Sequence, residues 1–398
     1  MLQLVGRPIV VLSTFLALIA SSGSARAVEG GSDVFTVRNV AVDATAATAA
    51  AARDKALASA ERLAFQRLLQ RLTLPSDARQ LPKVGDAALA DLTEGFEVQE
   101  EKHSTVRYIA TLTYRFKPAP VEQLLRDAGI AFAETPSKPV LVLPVLRTGD
   151  SLALWEDPNP WRTSWANLPV ADGLVPFTVP IGDLADIAAI NAQAASTGDA
   201  QKLGAIAARY DAGSTLVASA TIRTAPDRSA KAVDLAASRY GAGNDGHVAI
   251  SSVAARPGEA LDALLARAAL QLESDVTERW KADNLLHFDQ AQEALATVPI
   301  ANLDAWLMVR RRLDQVASIK RAAVVFLSRS EARIDVQYLG DLAQLKLALA
   351  QRDLILTEEG KGLVLRLAGS AAAPGGGTAT GTAGSTAGAD ADTGAATQ

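Results

Sequence analysis

A short segment between residues 155 and 165 concentrates the side chains that are best suited to bind a ligand. Exposed indole rings can stack on sugars or anchor peptides, and neighbouring charged groups can orient what they hold. The candidate ligand-binding residues are Trp155, Glu156, Asp157, Trp161, Arg162 and Trp165. The alternative is that the rings pack over a neighbouring sheet and that the surrounding prolines shape the loop. We favour this second interpretation because tryptophan is highly buried on average.

The sequence offers little support for a catalytic function. Adjacent carboxylates such as Glu156 and Asp157 rarely reach opposite sides of a glycosidic bond, which argues against a glycosidase. No serine lies in a G-x-S-x-G or S-x-x-K motif, and the chain has no cysteine. The histidines, His103, His247 and His287, are too widely spaced to suggest one metal site. We therefore expect no catalytic residue, metal or cofactor, and an enzyme is the third of our hypotheses.

A glycine-rich stretch, Gly241-Ala242-Gly243-Asn244-Asp245-Gly246, matches the G-x-G-x-x-G pattern of dinucleotide-binding loops. Such a loop must lead from a strand into the N-terminus of a helix, whose amides hold the pyrophosphate. Residues 247–250, which follow, have the pattern of a strand. The context therefore predicts a hairpin turn rather than a nucleotide site.

The first 27 residues have the organisation of an export signal. Arg7 precedes an uncharged apolar run, Ile9 to Ala20, and Ala25 and Ala27 form the small-x-small pattern that signal peptidase accepts. We expect cleavage before Val28. The run is well under the roughly 20 residues of a membrane-spanning helix, so the mature chain should carry no transmembrane anchor. Because a chain without cysteine cannot be a lipoprotein either, the sequence predicts a periplasmic location.

Charge and length restrict the partners and the architecture. The formal net charge is -5, and mild acidity argues against nucleic acid or an anionic membrane surface. The chain is longer than one hydrophobic core usually supports, so two or three domains are expected. We expect the partner to be an envelope protein or a periplasmic ligand.

An N-terminal unit with the pattern β-α-β-β-α is predicted first. Residues 34–42 form a predicted strand, and residues 44–72 form a predicted helix with one apolar face. Period-two alternation over residues 105–116 is the clearest strand signal, and this strand should pair with residues 96–102. A short helix should begin at Pro120. The buried face of the long helix is predicted to contain Leu57, Ala60, Ala64, Leu68 and Leu72.

A middle unit follows, with a mixed α/β pattern. A linker, Thr135 to Pro139, leads into a continuous apolar run at 140–143 that is typical of a central strand. An irregular loop without helix is predicted up to residue 181. Helices are predicted at 183–195 and 199–210, before three strands and a further long helix.

The last unit has the order strand, helix, strand, strand, helix, hairpin, which matches a split β-α-β or ferredoxin-like arrangement. Beyond it the chain is almost wholly Ala, Gly, Thr, Ser and Asp and has nothing to bury, so a disordered tail is predicted. The fold class is therefore α/β and α+β. The predicted boundaries are a signal peptide at 1–27, an N-terminal α+β unit at 28–134, a mixed α/β middle unit at 139–283, a ferredoxin-like unit at 284–368 and a disordered tail at 369–398.

Three stretches carry a resemblance to a known family. They are the helix at 53–69, the strand Arg107-Tyr108-Ile109-Ala110 and the loop Leu154-Trp155-Glu156-Asp157-Pro158-Asn159-Pro160-Trp161. Together they resemble the exported bacterial proteins of domain of unknown function 2066, over most of the mature chain up to Leu367. The resemblance implies export and adds no catalytic residue. More distantly, residues 140–146 with 207–212 resemble the amino-terminal α/β domain of periplasmic translocation and curli-export proteins, an analogy that points to envelope assembly.

These observations favour a periplasmic protein without catalytic activity that acts as a binding or scaffolding component of cell-envelope assembly. The alternative is a periplasmic ligand-binding protein whose tryptophan loop captures a glycan or a peptide. Exposure of the rings of Trp161 and Trp165 in the free protein distinguishes the two, since a stacking surface has to be accessible.

Overall fold

The computed structural model of the protein describes residues 34–169, 172–224, 230–241, 246–286, 291–360 and 362–369. Within these residues the chain forms three β-sheets and ten α-helices. The expected fold class, α/β and α+β, is confirmed. None of the helices described is both long and apolar enough to cross a membrane. The predicted signal peptide with its cleavage site, and the predicted tail beyond Gly369, lie outside the described residues.

The first sheet carries one long helix. Its unit contains β1 (Thr36–Thr45), α1 (Ala49–Leu72), a 3-10 turn (Pro75–Asp77), α2 (Asp86–Leu92), β2 (Thr93–His103), β3 (Arg107–Phe116) and α3 (Pro118–Asp127). β3 lies between β1 and β2 and is antiparallel to both. On α1 the small residues Ala52, Ala56, Ala60 and Ala64 are fully buried. Because they recur every fourth residue, they form one face along which the helix can approach the sheet closely.

Two boundaries of this unit differ from the predicted ones for local reasons. α1 begins five residues later than predicted, because β1 continues through Thr45 and the Thr48 side chain caps the helix by accepting from the Ala51 amide. α3 begins at Pro118, two residues before the predicted start at Pro120. Pro118 is itself a proline in the first turn of a helix, so it serves as the start signal instead. The predicted buried face of α1 is correct except for Leu57, which is half-buried.

The second sheet has helices on both faces. Its unit contains β4 (Val140–Thr148), β5 (Ser151–Ala153), α4 (Pro160–Ala166), β6 (Phe177–Thr178), α5 (Leu184–Ala189), α6 (Ala192–Thr197), α7 (Ala200–Arg209), β7 (Ser214–Thr224), β8 (Ala230–Tyr240), β9 (Gly246–Ala254) and α8 (Leu261–Asp283). The strand order is β5-β4-β7-β8-β9, with β6 parallel to one end of β4. Val142 of β4 packs with α4 and α8, whereas its neighbour Leu143 packs with α6 and α7. The continuous apolar run is therefore a central strand buried on both faces, as predicted.

The third sheet is covered by two helices. Its unit contains β10 (Ala291–Pro299), α9 (Leu303–Leu313), β11 (Ile319–Leu327), β12 (Glu331–Leu339), α10 (Leu342–Ala350), β13 (Leu354–Glu359) and β14 (Gly362–Leu367). The strand order is β11-β12-β10-β14-β13. β11, β12 and β10 keep the ferredoxin-like order, and the predicted final hairpin inserts β14 between β13 and β10, parallel to β10. β11 therefore forms one edge of this sheet, and β13 forms the other.

The first three residues of the segment predicted as a linker, 135–137, are buried where the three units meet. Thr135 and Ser137 are both buried. The carbonyl of Thr135 accepts from the indole N–H of Trp280 at 2.9 Å, which ties the segment to α8. Lys138 forms an ion pair with Asp353 of the third unit. The segment thus joins the units through bonded polar groups instead of running exposed between them.

Candidate functional site

The segment predicted as an irregular loop contains the helix α4. The side chain of Asn159 caps this helix by accepting from the amide of Arg162 at 3.0 Å, and Pro160 occupies the first turn. The prediction of a loop without helix is therefore wrong here. That prediction treated every proline as a helix breaker, although a proline directly after an asparagine is also a helix start signal. α4 places Trp161 and Trp165 one turn apart on the same face.

All three tryptophan rings of the segment are buried. The indole N–H of Trp161 donates to the carbonyl of Ala218 on β7 at 2.8 Å, so this ring covers one face of the second sheet. Trp155 packs on the opposite face and donates to the carbonyl of Ile190 at 2.6 Å. Trp165 meets Trp161 edge to face, with ring centroids 5.9 Å apart. The rings anchor the segment to the sheet, and a stacking surface for a sugar, which needs them exposed, is not formed.

The charged residues of the segment hold its turns in place. The carboxylate of Glu156 accepts from the amides of Leu154 at 2.7 Å and Trp155 at 3.0 Å. Hydrogen bonds from its own amide and from these two amides hold the pKa of Glu156 below its ordinary value. Arg162 forms an ion pair with the exposed Asp157 at 2.7 Å. Glu156 therefore stays ionised near neutral pH, which is the opposite of what a general acid requires.

A cleft of about 610 Å³ opens beside this segment. It is lined by α4 and the residues just after it, by residues between 176 and 181, and by Glu273 of α8, and we call it the cleft between α4 and α8. Its walls are mainly apolar, as in most ligand-binding clefts. Two of the six predicted residues, Arg162 and Trp165, line it. Phe177 and Ile181 contribute apolar surface, and Glu273 contributes a carboxyl group. The structure thus moves the candidate ligand site from the tryptophan rings to the cleft next to them.

Glu273 is the residue of the cleft that sequence reasoning missed. It lies on α8, far along the chain from the tryptophan segment, and its only sequence signal is a polar position on an amphipathic helix. Burial raises the pKa of Glu273 above its ordinary value. Its carboxyl forms no hydrogen bond or ion pair with any residue that the structure describes. The buried indole N–H of Trp165 has no partner among the described residues either.

A second candidate site is the outer edge of the third sheet, at residues 324–327 of β11, which we call the β11 edge. Side chains of a strand usually alternate between two faces, but a bulge between Val324 and Phe326 interrupts the pairing with β12. Four large apolar side chains in succession are exposed, and Val325 is 64% exposed. Among the described elements, only β12 pairs with β11. Open backbone groups and apolar side chains are what an added strand requires.

Cations surround the β11 edge. Arg321 precedes it and Arg329 follows it, and both are exposed. Neither forms an ion pair with another residue in the part of the chain that the structure describes. Arg333 of β12 lies over the ring of Phe326, with 5.6 Å between the guanidinium carbon and the ring centroid. The edge is therefore an apolar strip with positive charge at both ends.

The glycine-rich stretch joins two paired strands. β8 and β9 are antiparallel neighbours, and Arg239 pairs with Gly246. A strand therefore follows the stretch, and no helix N-terminus is placed to receive a pyrophosphate. Residues 242–245 and His287 lie outside the described residues. Over the described ranges, no group of three His, Asp or Glu side chains could hold a metal ion.

Comparison with known proteins gives a match within the first unit. Residues 35–134 match a family model described as a domain of unknown function, DUF8605. This finding corrects the resemblance to domain of unknown function 2066, because the helix at 53–69 and the strand at 107–110 that suggested it lie inside the DUF8605 match. Short amphipathic patterns of this kind occur in many unrelated families. No curated protein matches the chain.

Proposed function

We propose that the protein is exported to the periplasm and acts there as a non-catalytic binding component of cell-envelope assembly. Export is supported by Arg7, the apolar run after it and the pair Ala25 and Ala27. Mass spectrometry of the protein from its native host should find Val28 at the N-terminus. An intact Met1 on cytosolic protein would contradict export.

The β11 edge is the observation that supports a binding role most directly. Natural proteins usually protect exposed edge strands, because such strands pair readily with a further strand. Here four consecutive apolar side chains remain exposed, on a body whose units are joined through buried residues such as Thr135. A strand added at this edge would satisfy backbone groups of β11 and cover Val325 and Phe326 at the same time.

Apolar burial supplies most of the affinity in such a complex. Covering a half-exposed valine, leucine or phenylalanine contributes about 1 kcal/mol for each side chain, judged from its buried area. Each new backbone hydrogen bond adds about 0.5–1.5 kcal/mol. An exposed ion pair contributes only about 0.2–1 kcal/mol. Arg321 and Arg329 therefore contribute more to the specificity of binding than to its affinity.

The flanking charges favour an acidic strand over a second copy of this chain. If two copies paired antiparallel with their apolar segments opposed, Arg321 of one copy would lie beside Arg329 of the other. Like charges across a strand pair are destabilising. An extended segment of another envelope protein, with Asp or Glu on both sides of an apolar centre, would instead place an acid near each arginine. Such a segment is the partner that we assign to the β11 edge.

A photocrosslinking residue at Val325 tests this proposal in cells. We expect an adduct whose crosslinked peptide, sequenced by mass spectrometry, is an extended apolar segment with acids at both ends. The photocrosslinking residue placed at Ile250 instead is the matched control. Ile250 is 77% exposed on β9, an edge strand of the second sheet. An adduct between two copies of this chain, or the same adduct from both positions, would contradict the assignment.

A ligand-binding role is the second candidate, and the cleft between α4 and α8 favours it. The rings of Trp155 and Trp161 do not form this site, because they are buried in the cores on the two faces of the second sheet. The charged groups of the cleft are those of Arg162 and Glu273. The cleft should therefore discriminate between ligands by their charge as well as by their apolar surface.

A further inference from the structure

The cleft between α4 and α8 contains one charge that the described part of the chain leaves uncompensated. Arg162 is balanced by Asp157, at 2.7 Å. Glu273 has no such counter-ion and no hydrogen-bond donor among the described residues. Burial raises the pKa of Glu273, and no nearby cation among the described residues lowers it. The cleft therefore complements a cation.

The walls beside Glu273 suit an aliphatic stem. Trp165 and Phe177 meet edge to face, with ring centroids 6.1 Å apart. Val179 and Ile181 extend the apolar lining. A methylene chain packs on such walls while its charged end reaches a polar group, and aromatic rings also attract an ammonium ion.

We infer that this cleft binds the side chain of a lysine residue in an extended peptide, with the ammonium on the Glu273 carboxylate and the methylene stem against Phe177 and Ile181. The bound ammonium would replace the water that the carboxylate lost on burial. The cleft volume of about 610 Å³ lies within the range of about 300–1,000 Å³ that is usual for ligand sites. This site is separate from the β11 edge and goes beyond the proposed function.

Arg162 favours a peptide over a free diamine as the source of the ammonium. It lines the same cleft, and its positive charge would repel the second ammonium of a diamine. A peptide carbonyl next to the lysine side chain is instead an acceptor for guanidinium N–H groups. A free diamine carries the same ammonium and the same stem but offers no carbonyl.

Three small probes distinguish these sources when they are titrated into the full-length protein and followed by tryptophan emission and calorimetry. N-acetyl-lysine methylamide should bind saturably. The corresponding norleucine compound, which has the stem without the charge, should bind at least about tenfold more weakly, as expected for the loss of a charge-assisted contact. The diamine 1,5-diaminopentane should also bind more weakly than the lysine probe. Tighter binding of the diamine would overturn the assignment to a peptide.

Variants of α8 locate the contact. Glu273→Gln should weaken the lysine probe at least about tenfold, whereas Glu278→Gln, which alters a carboxylate lining a different groove, should leave binding unchanged. Thermal melts of both variants show whether they fold. Equal binding of the lysine probe to Glu273→Gln and the unaltered protein, or no saturable binding to the unaltered protein, would overturn the inference. Neither result would affect crosslinking from Val325, so the two proposals fail separately.

Discussion

Lys281 places its ammonium 2.6 Å from the carbonyl oxygen of Thr73, the C-cap residue of α1. The same ammonium donates to the carbonyl of Gln70 at 3.0 Å. The last carbonyls of a helix have no partner within the helix, and a cation is favourable at this end of the helix dipole. A helix of the second unit therefore caps a helix of the first, and the two units should lose stability together.

Replacing Lys281 tests this coupling. Lys281→Met should lower the free energy of unfolding by about 1–3 kcal/mol, because methionine fills the space of the stem but leaves the buried carbonyl of Thr73 and the part-buried carbonyl of Gln70 without this donor. Arg279→Met is the matched control on the same helix, since Arg279 is exposed, and it should cost less than about 0.5 kcal/mol. Denaturant unfolding measures both. Equal midpoints for the two variants would show that the contact does not couple the units.

Glu134, at the edge of the first unit, should make stability depend on pH. Burial and the nearby Glu122 raise the pKa of Glu134 to about 7 from 4.5, although Lys320 and Arg126 act in the opposite direction. The folded state therefore binds more protons than the unfolded state between these two values. The stability that this group contributes is complete below about pH 4.5 and is lost as the pH rises through about 7, by roughly 3 kcal/mol in all.

Glu134→Gln should remove this pH dependence. The free energy of unfolding of the variant, measured in denaturant between about pH 5 and pH 8, should fall less with rising pH than that of the unaltered protein. Glu100→Gln, on the exposed side of β2, is the control and should keep the original slope. A slope unchanged by Glu134→Gln would mean that this carboxyl is not the group responsible.

Two neighbouring residues test the packing of α1. Leu68 is fully buried, so Leu68→Ala should leave a cavity and cost about 2–5 kcal/mol. Arg67 is exposed and donates to the carbonyl of Asn39 at 3.2 Å, so Arg67→Ala should cost less than about 0.5 kcal/mol. Thermal melts followed by circular dichroism compare them. A similar loss for both would mean that the assigned face of α1 is wrong.

Trp161 should behave as a core residue. Trp161→Ala removes a fully buried ring and its hydrogen bond to Ala218, and should cost about 3–5 kcal/mol. Leu184→Ala is the matched control in the same unit, because Leu184 is 86% exposed and its truncation should change stability little. A Trp161→Ala variant with an unchanged melting midpoint would contradict the burial of this ring.

Patterns within single elements could be predicted from the sequence. The apolar face of α1 and the buried strand β4 are both visible as local periodicity or as a continuous apolar run. The contacts of Thr135 and Ser137 could not be predicted, because short polar residues beside prolines have the composition of an exposed linker. Their partners lie in α8 and β8, and nothing in a local pattern specifies which distant element will bury a segment.

The candidate sites show the same division. Arg162 and Trp165 belong to a cluster that is visible in the sequence, whereas Glu273 joins them only in space, and a polar residue on an amphipathic helix is usually solvated. Residues 324–327 have the composition of a buried strand. Their exposure follows from the position of β11 at the edge of its sheet, and composition alone does not distinguish an edge strand from a central one.

Hydrogen exchange of the β11 amides, measured with and without the partner segment captured at Val325, tests strand addition most directly. Pairing at this edge gives outward-facing amides new hydrogen bonds, so exchange over residues 323–327 should slow by at least about tenfold on binding. Exchange of β9 around Ile250 should stay the same. Binding through side chains alone would leave the β11 amides exchanging as fast as in the free protein, and that result would contradict strand addition.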